Sequence, residues 1–398
     1  MKNYHVKKLM LGIFLCLMTM AFSALAEEEK EWTFLIFLNA NNNLDYYGDL
    51  NLKQMEEIGS TDKINIVVQW GSMKRPSVKR MLIQKNNSEN KDQIISPVIE
   101  DLGAVDMGDQ NEFLKFLKWG KEKFPAKKYF VSLWNHGNGW YKSKTDLHVN
   151  DISYDDKTGN KITTEQLGVV LKDFTTELGR KIDVLGSDAC LMSMAEVASE
   201  VKDSVHYFAG SQEVEPGDGW PYSPFLSEWT QRAEIDGAGV GKILAEQYLK
   251  AYSENGVYTS GDVTFSVLDL DRMGDYEQFV AGLSKELQLL SSEQLKQSVE
   301  AAYNTLSFTY SDYKDLGHFL KLLNDKQLVT AETMYNYTKT LEQLVISNQV
   351  SPAYAEAKGI SIWLPDSEWQ RGRNAERYEK LKFNQNSGWL EFLKKLEF

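Results

Sequence analysis

Short apolar runs alternate with amphipathic stretches through the first two thirds of the chain, and few folds accommodate that alternation. Residues 32–38, 64–70, 129–134, 182–187 and 207–211 are apolar runs with the length of buried strands. Several stretches between them carry apolar residues at helical spacing. Strand–helix units of about thirty residues build parallel sheets with a layer of helices on each face. The sequence therefore predicts an α/β fold around a mostly parallel sheet with helices on both faces.

The pattern changes in the last third of the chain. Residues 271–347 show helical spacing almost throughout, whereas residues 359–364 form one late apolar run and residues 389–396 a terminal amphipathic stretch. We predict an α/β domain over residues 27–265 and a mainly helical C-terminal domain over residues 266–398.

The N-terminus has the layout of a secretory signal peptide. Three lysines among the first eight residues precede an apolar run over residues 9–22, and Ala24-Leu25-Ala26 follows as a small-x-small cleavage site. The run is too short for a membrane-spanning helix, and no other stretch is apolar enough to be one. We predict a signal peptide over residues 1–26 and an exported chain, periplasmic or extracellular, that has no membrane association after signal removal.

Charge and cysteine content narrow the function classes. The chain has 57 acidic against 44 basic residues and a net charge of −13, which argues against nucleic acid as a partner. Of the two cysteines, Cys16 lies in the signal run, so Cys190 is the one that the processed chain keeps, and no disulfide framework is expected. The histidines lack the spacing of a zinc enzyme.

Two predicted strands end in residues that carry chemistry. Strand 129–134 leads into His136 within a glycine-rich turn, and strand 182–187 leads into Cys190. The carboxyl ends of parallel strands share one edge of a sheet, so the thiol and the imidazole can meet there as a nucleophile and its base if the two strands are neighbours. The amides of Gly137 and Cys190 would then form an oxyanion hole. The alternative is a buried core thiol, a common state of free cysteine.

The residues around Cys190 support two interpretations of Asp188. The pattern over residues 191–201 predicts an amphipathic helix that starts at Cys190, and its N-terminus would lower the thiol pKa. Asp188 lies on the same face of the strand as Cys190, and its charge would raise the thiol pKa unless a substrate cation neutralised it. Asp188 is therefore either the acid that receives an Arg or Lys side chain or a cap of the following helix.

Two acidic segments are open to a structural or a functional interpretation. The sequence Glu-Pro-Gly-Asp-Gly over residues 215–219 has strong turn chemistry. It is either a plain acidic turn or a wall of the substrate cleft, and we favour the wall because it follows the strand after the Cys190 segment. The acidic residues within 151–156 either hold calcium or form a solvated loop, and we favour the loop.

Five segments together resemble the clostripain family of cysteine peptidases. They are Asn135-His136-Gly137, Asp188-Ala189-Cys190, the strand 32–38 with its continuation Asn41-Asn42-Asn43-Leu44-Asp45, the segment 212–220 and the late segment 359–365. Each is weak alone. Their order and their positions at strand ends are fairly specific, and the likeness extends over essentially the whole chain after the signal peptide.

The resemblance implies a caspase-like fold, with residues 27–265 as the catalytic domain and Cys190 and His136 as the catalytic dyad. It implies a secreted endopeptidase that cuts after Arg or Lys, the residue called P1. No cofactor is required for that chemistry, although some members depend on calcium, for which the sequence shows no evident site. It implies Asp188 as the acid that receives the P1 side chain. The other substrate-binding residues that we expect lie in and next to the favoured cleft wall, and they are Glu213, Asp218 and Trp220. Self-cleavage between the dyad residues is also implied, and the lysines expected as its sites are Lys142, Lys144 and Lys157.

Other functions remain compatible with the sequence. They are a catalytically silent binding protein on the same scaffold, a cysteine peptidase with a different P1 preference, and a transpeptidase. The presence of both Cys190 and His136 counts against the silent protein. For the leading function we expect a monomer whose partners are proteins or peptides that contain Arg or Lys.

Overall fold

The computed structural model describes residues 29–142 and 150–398, and the predicted signal peptide lies outside them. The strands, in chain order, are β1 (Lys30–Ala40), β2 (Ile64–Ser72), β3 (Lys79–Leu82), β4 (Val98–Asp101), β5 (Ala126–Trp134), β6 (Gly137–Lys142), β7 (Asn150–Asp155), β8 (Asn160–Ile162), β9 (Ile182–Asp188), β10 (Val205–Gly210), β11 (Thr264–Asp269), β12 (Tyr313–Asp315), β13 (Val345–Val350) and β14 (Ser361–Trp363). The helices are α1 (Asp45–Ile58), α2 (Gln110–Lys123), α3 (Thr164–Leu178), α4 (Ala195–Val201), α5 (Tyr222–Gln231), α6 (Gly237–Ala251), α7 (Met273–Gln288), α8 (Ser292–Asn304), α9 (Leu316–Asp325), α10 (Ala331–Leu344), α11 (Glu368–Tyr378), α12 (Lys382–Ser387) and α13 (Trp389–Leu393). None of these helices is both long and apolar enough to cross a bilayer.

One nine-stranded sheet forms the centre of the described chain, in the order β13-β11-β10-β9-β5-β1-β2-β3-β4. Strands β10, β9, β5, β1 and β2 run parallel to one another, and antiparallel strands flank them on both sides. The five predicted strands correspond to these five parallel strands. The predicted α/β fold with a mostly parallel sheet is confirmed.

The sheet is buried on both faces because its central strands are apolar on both. In β1, Phe34 and Ile36 point to one face and Leu35 and Phe37 to the other, and all four are fully buried. Helices α1, α5 and α6 cover the first face, whereas α2, α3, α4 and the C-terminal helices cover the second. The two resulting hydrophobic cores hold the carboxyl ends of the strands in place. The prediction of helices on both faces of the sheet is confirmed.

A small sheet with the order β6-β7-β8 begins directly after His136 and was not predicted from the sequence. Its strands are antiparallel. It is held against the end of β1 because the Asn39 side-chain amide donates to the Ser153 carbonyl at 3.1 Å. The Asn135 amide group likewise donates to the Tyr154 carbonyl at 3.0 Å. The turn that carries His136 is thereby anchored on both sides.

The C-terminal part of the chain is joined to the central sheet. β13 pairs with β11 as the outermost strand, and the Ser361 amide in β14 donates to the Ser193 carbonyl at 3.0 Å, near the Cys190 segment. Residues 271–347 are mainly helical, as expected, apart from β12 and the start of β13. The domain boundary near residue 265 falls within β11 and stays a prediction.

Candidate active site

Strands β5 and β9 are neighbours, and they deliver His136 and Cys190 to the same edge of the sheet. Trp134 and Asp188 pair at the last register position of the two strands. Gly137 packs so closely on the following segment that a Cβ there would lie 2.4 Å from the Cys190 carbonyl oxygen. The sheet therefore brings the predicted nucleophile and the predicted base to one place.

Both side chains line a cavity of about 170 Å³. Its walls are Leu44 after β1, residues 134–136 at the end of β5, residues 188–190 at the end of β9, and residues 214–217 with Gly219 in the loop after β10. The loop after β10 is therefore a wall of the cleft rather than a plain surface turn.

Cys190 does not lie at a helix N-terminus, so the expected helix over residues 191–201 is wrong at its start. The helix α4 begins only at Ala195. Leu191 has a φ of 63°, a left-handed conformation that leucine adopts only where its surroundings impose it. Its amide donates to the Glu213 carbonyl at 3.2 Å. Pairing with the loop after β10 replaces the first helical turn and holds Cys190 on a sharp bend.

Burial raises the pKa of the Cys190 thiol, where the sequence led us to expect a lowering. Three backbone amides act in the opposite direction, those of Glu215, Gly137 and Cys190 itself. The Glu215 amide donates to the sulfur at 3.3 Å. The Gly137 and Cys190 amides are the predicted oxyanion donors, and both lie against the sulfur. Such a thiol needs a base to remove its proton.

His136 is oriented by Asn43, which the sequence analysis named only as part of a motif and gave no role. The side-chain oxygen of Asn43 lies 2.6 Å from His136 Nε2. Because an amide oxygen only accepts hydrogen bonds, Nε2 carries the proton in the neutral ring and Nδ1 is the basic nitrogen. Asn43 lies in the asparagine-rich segment after β1, whose carboxyl end shares the sheet edge with β5 and β9.

Asp188 is 4% exposed and lies at the floor of the cleft. It accepts hydrogen bonds from the Tyr222 hydroxyl at 2.7 Å and the Trp220 amide at 3.4 Å. Gly219, with a φ of 64°, leaves it room, since a Cβ there would lie 2.8 Å from an Asp188 oxygen. The N-cap of α4 is Met194, so the helix-cap interpretation of Asp188 is wrong. Burial raises the pKa of Asp188 to about 7.

A second buried carboxyl group, that of Glu215, lines the same cleft. Glu215 is 8% exposed, and its carboxyl group lies within hydrogen-bonding reach of Asp188. Burial, and next the charge of Asp188, raise the pKa of Glu215 well above its usual range. Sequence reasoning placed Glu215 in the cleft wall but did not assign it to the binding residues.

Glu213 lies outside the cavity lining, and its carboxylate is held by other parts of the chain. It accepts from the Val214 amide at 2.7 Å, from the Thr309 amide at 3.1 Å and from the Tyr354 hydroxyl at 2.9 Å. The Thr309 hydroxyl also donates to it. These bonds fasten the loop after β10 to the C-terminal part. A substrate-binding role for Glu213 stays a prediction.

The other two expected binding residues also lie outside the cavity lining. The Trp220 ring is fully buried and packs on Phe130 and Phe265, at centroid distances of 6.1 and 5.9 Å, while its amide donates to Asp188. Asp218 is partly exposed, and its carbonyl accepts from the Asn51 side-chain amide at 3.1 Å. Both residues shape the loop around the pocket, and their contact with substrate stays a prediction.

The three lysines expected as self-cleavage sites lie in different surroundings. Lys142 is the last residue of β6, and Lys144 lies outside the described residues. Lys157 lies in the exposed turn between β7 and β8, where its ammonium group donates to the carbonyls of Ser72 and Arg75 at 2.7 and 2.8 Å. Self-cleavage at any of them stays a prediction.

No group of three or more His, Cys, Asp or Glu side chains within residues 29–142 and 150–398 is arranged to hold a metal ion. The solvated loop favoured for residues 151–156 is wrong, because all but the last of them belong to β7. Asp155 is buried there and accepts from the Met107 amide at 2.9 Å and the Asn41 side-chain amide at 2.8 Å. Calcium dependence stays a prediction.

Comparison with known proteins places these observations in a family. The family model described as "Clostripain family" matches residues 36–396. The chain belongs to the clostripain family. The resemblance drawn from the sequence motifs is confirmed, and the motifs used for it lie almost wholly inside the matched range.

This clostripain-family chain is similar over most of its length to a curated relative. It is 23% identical to clostripain from Hathewaya histolytica over 313 residues, which are 66% of this chain and 58% of that protein. The matched part thus spans less than two thirds of that relative's length.

The fold is shared with an inactive zymogen C11 protease from Parabacteroides distasonis, with a TM-score of 0.70, 20% identity and coverage of 90% of this chain and 98% of that one. It is shared also with a secreted C11 cysteine protease from Bacteroides thetaiotaomicron solved with an irreversible peptide inhibitor, with a TM-score of 0.68, 18% identity and coverage of 90% and 99%. The expected caspase-like fold of this clostripain-family chain is confirmed.

Proposed function

We propose that this chain is an exported cysteine endopeptidase that cleaves peptide bonds after Arg or Lys. The observation that supports it best is one cleft in which Cys190 and His136 lie beside two buried carboxyl groups, those of Asp188 and Glu215. A thiol beside an imidazole suits acyl transfer. Buried acids at the same cleft favour a substrate with a cationic side chain.

The proposed mechanism gives each group a step. His136 Nδ1 takes the proton of the Cys190 thiol, and the thiolate attacks the carbonyl carbon of the P1 residue. The amides of Gly137 and Cys190 donate to the oxyanion that forms. His136 then gives the proton to the leaving amine. In the second half of the reaction His136 takes a proton from water, the water oxygen attacks the acyl-enzyme, and the proton returns to the sulfur of Cys190 as the acid product leaves.

The pocket acids account for the P1 preference. Among the described residues, neither Asp188 nor Glu215 forms an ion pair with a lysine or arginine of the chain. A guanidinium or ammonium group of a substrate would supply the missing charge. Export follows from the predicted signal peptide over residues 1–26. The proposed substrates are proteins and peptides with Arg or Lys, and the proposed state is a monomer.

Peptides that differ only at P1 test this function directly. We expect cleavage after Arg and Lys and little after citrulline, the neutral isostere of Arg, because only the cations neutralise the buried acids. A thiol-alkylating agent should stop all cleavage. Equal rates on Arg and citrulline peptides would contradict the P1 assignment, and alkylation-resistant cleavage would contradict the thiol mechanism. An inert protein would favour the silent binding function.

We propose further that the enzyme cuts itself between His136 and Cys190. The basic residues in that interval include Lys142, Lys144 and Lys157, and exposed polar loops are the usual sites of nicking. Such a cut would leave both fragments associated, because β5 and β9 belong to the same sheet.

Expression of the wild type beside Cys190→Ala, with N-terminal sequencing of any fragments, is the measurement for self-cleavage. We expect two fragments, with a new N-terminus after one of these lysines, in the wild type only. A variant that keeps Cys190 but has Lys142, Lys144 and Lys157 changed to Gln should remain uncleaved. Identical nicking in Cys190→Ala, or full activity of an uncut wild-type chain, would refute the proposal.

A further inference from the structure

We propose that Glu215 holds a proton in the empty pocket and that a cationic P1 side chain displaces it, so that the binding of Arg substrates is linked to proton release. The inference rests on the proposed function, because it concerns the same pocket. It makes Glu215 a second specificity-determining acid beside Asp188.

The first reason is that the Glu215 carboxyl group is buried without a well-placed donor. The residue is 8% exposed and lines the cleft. Within the described part of the chain, neither of its oxygens accepts a hydrogen bond of ordinary geometry. The indole N–H of Trp220 lies close enough to lower the pKa of Glu215, but burial raises it by more. An ionised carboxylate in such surroundings is disfavoured, because its lost hydration is not replaced by well-formed hydrogen bonds. The empty pocket therefore favours the protonated form.

The second reason is the neighbouring acid. Asp188 and Glu215 lie within hydrogen-bonding reach of each other. If both were ionised, neither could donate a hydrogen bond to the other, and their negative charges would repel. One proton between them turns the repulsion into a hydrogen bond, as in other buried carboxyl pairs. Asp188 already accepts from the Tyr222 hydroxyl and the Trp220 amide, so it is the better anion and Glu215 the better proton carrier.

One neighbouring group can carry a positive charge, the imidazole of His136, which lines the same cavity and is the proposed base for Cys190. The other titratable groups around the pair carry none. They are the Cys190 thiol and the hydroxyls of Tyr222, Tyr248, Tyr252 and Tyr258, with Asp218 further out. Each is neutral or acidic near neutral pH. Within the described residues no lysine or arginine pairs with either acid, so in this proposal the compensating cation comes from the substrate.

A guanidinium group has donors enough for both carboxylates, and its charge removes the repulsion that retains the proton. Binding thus lowers the pKa of the pair, and the displaced proton goes to the buffer. Affinity for an Arg side chain therefore rises with pH, by up to about tenfold per pH unit, over the range in which the empty pair is protonated. Above that range the affinity no longer depends on pH. Arg itself stays charged throughout.

Calorimetric titration can count the proton. The protein is the full chain with Cys190→Ala, which prevents turnover, and the probes are a short acetylated peptide ending in arginine amide and its citrulline twin. Measurements in two buffers of different ionisation enthalpy give the number of protons released per peptide. At about pH 8, Asp188 alone would be mostly ionised, so a released proton is that of Glu215. We expect about one proton for the arginine peptide.

The matched variant adds Glu215→Gln, which keeps the shape but cannot ionise. We expect its proton release to fall below about 0.2 per peptide and its affinity to become nearly independent of pH. Tight binding without proton release in the protein with both acids, or unchanged release in the Gln variant, would overturn the inference. The first of these outcomes needs no folded Gln variant. Equal binding of the arginine and citrulline peptides would instead overturn the P1 assignment, and this inference with it.

Discussion

Replacement of Cys190 by alanine is expected to lower kcat/KM on an Arg peptide by about 10⁴-fold or more without loss of the fold. In the proposed mechanism the sulfur forms the acyl bond, and its loss removes the covalent step itself. The side chain is only partly buried and faces the cleft, so its loss removes little core packing. Peptide cleavage and thermal unfolding, measured on the same samples, check both halves of this result.

A variant that loses stability away from the cleft provides the control. Ser291 caps α8, and its side chain and that of Gln294 satisfy each other's backbone amides. Ser291→Ala should cost about 1 kcal/mol of stability and leave kcat/KM unchanged. If Cys190→Ala kept activity within about tenfold of wild type, Cys190 would not be the nucleophile. If the wild type itself were inert but bound peptides, the silent binding function would be supported.

The sequence predicted the sheet well because its parallel strands are buried on both faces. Such strands are continuous apolar runs bounded by turn residues, a local signal that does not depend on distant contacts. The runs at residues 32–38, 129–134 and 182–187 became β1, β5 and β9. Since the carboxyl ends of parallel strands share an edge, His136 and Cys190 were expected at the same edge. Their meeting also requires β5 and β9 to be neighbours, and that strand order came from the structure.

The start of α4 could not be predicted in the same way. Residues 191–194 fit the apolar spacing of a helix, and the local pattern gives no reason to exclude them. Their backbone amides pair instead with the loop after β10: Leu191 with Glu213, and Ser193 with Ser211 at 2.8 Å. That contact joins segments about twenty residues apart in sequence, so tertiary hydrogen bonding overrides the local preference. The expected lowering of the Cys190 pKa was wrong because burial of the thiol raises its pKa and no helix begins at Cys190.

Asn43 and Glu215 show a second limit of the sequence. Asn43 is 93 residues away from His136, whose ring it contacts, and its asparagine-rich surroundings indicate a loop rather than a role. Glu215 lies in a segment with strong turn chemistry, which explains its local structure without a site. The position of these two residues after strands of the parallel sheet is the signal that could have identified them. Asn43 follows β1 and Glu215 follows β10, and the carboxyl ends of parallel strands lie at one edge of the sheet.

Asp188→Asn is expected to lower kcat/KM on Arg and Lys peptides by on the order of 10²-fold relative to peptides with a neutral P1 residue. The substitution keeps the size of the side chain and its contacts with Tyr222 and Trp220, but it removes the charge that receives the P1 cation. Glu215, freed from the repulsion of Asp188, would retain part of the preference. The double variant Asp188→Asn with Glu215→Gln should therefore discriminate less than either single variant.

Rates on Arg, Lys and citrulline peptides, compared across wild type and these three variants, give the measurement. Glu57→Gln is the matched control, because Glu57 is an acid outside the cleft lining that accepts from the Ser223 hydroxyl, and its loss should alter no ratio. An equal fall on charged and neutral peptides in Asp188→Asn would mark Asp188 as a residue that only supports the fold. A selective fall separates the two roles, because support of the Cys190 bend affects every substrate, whereas charge compensation in the pocket affects only those that bring a cation.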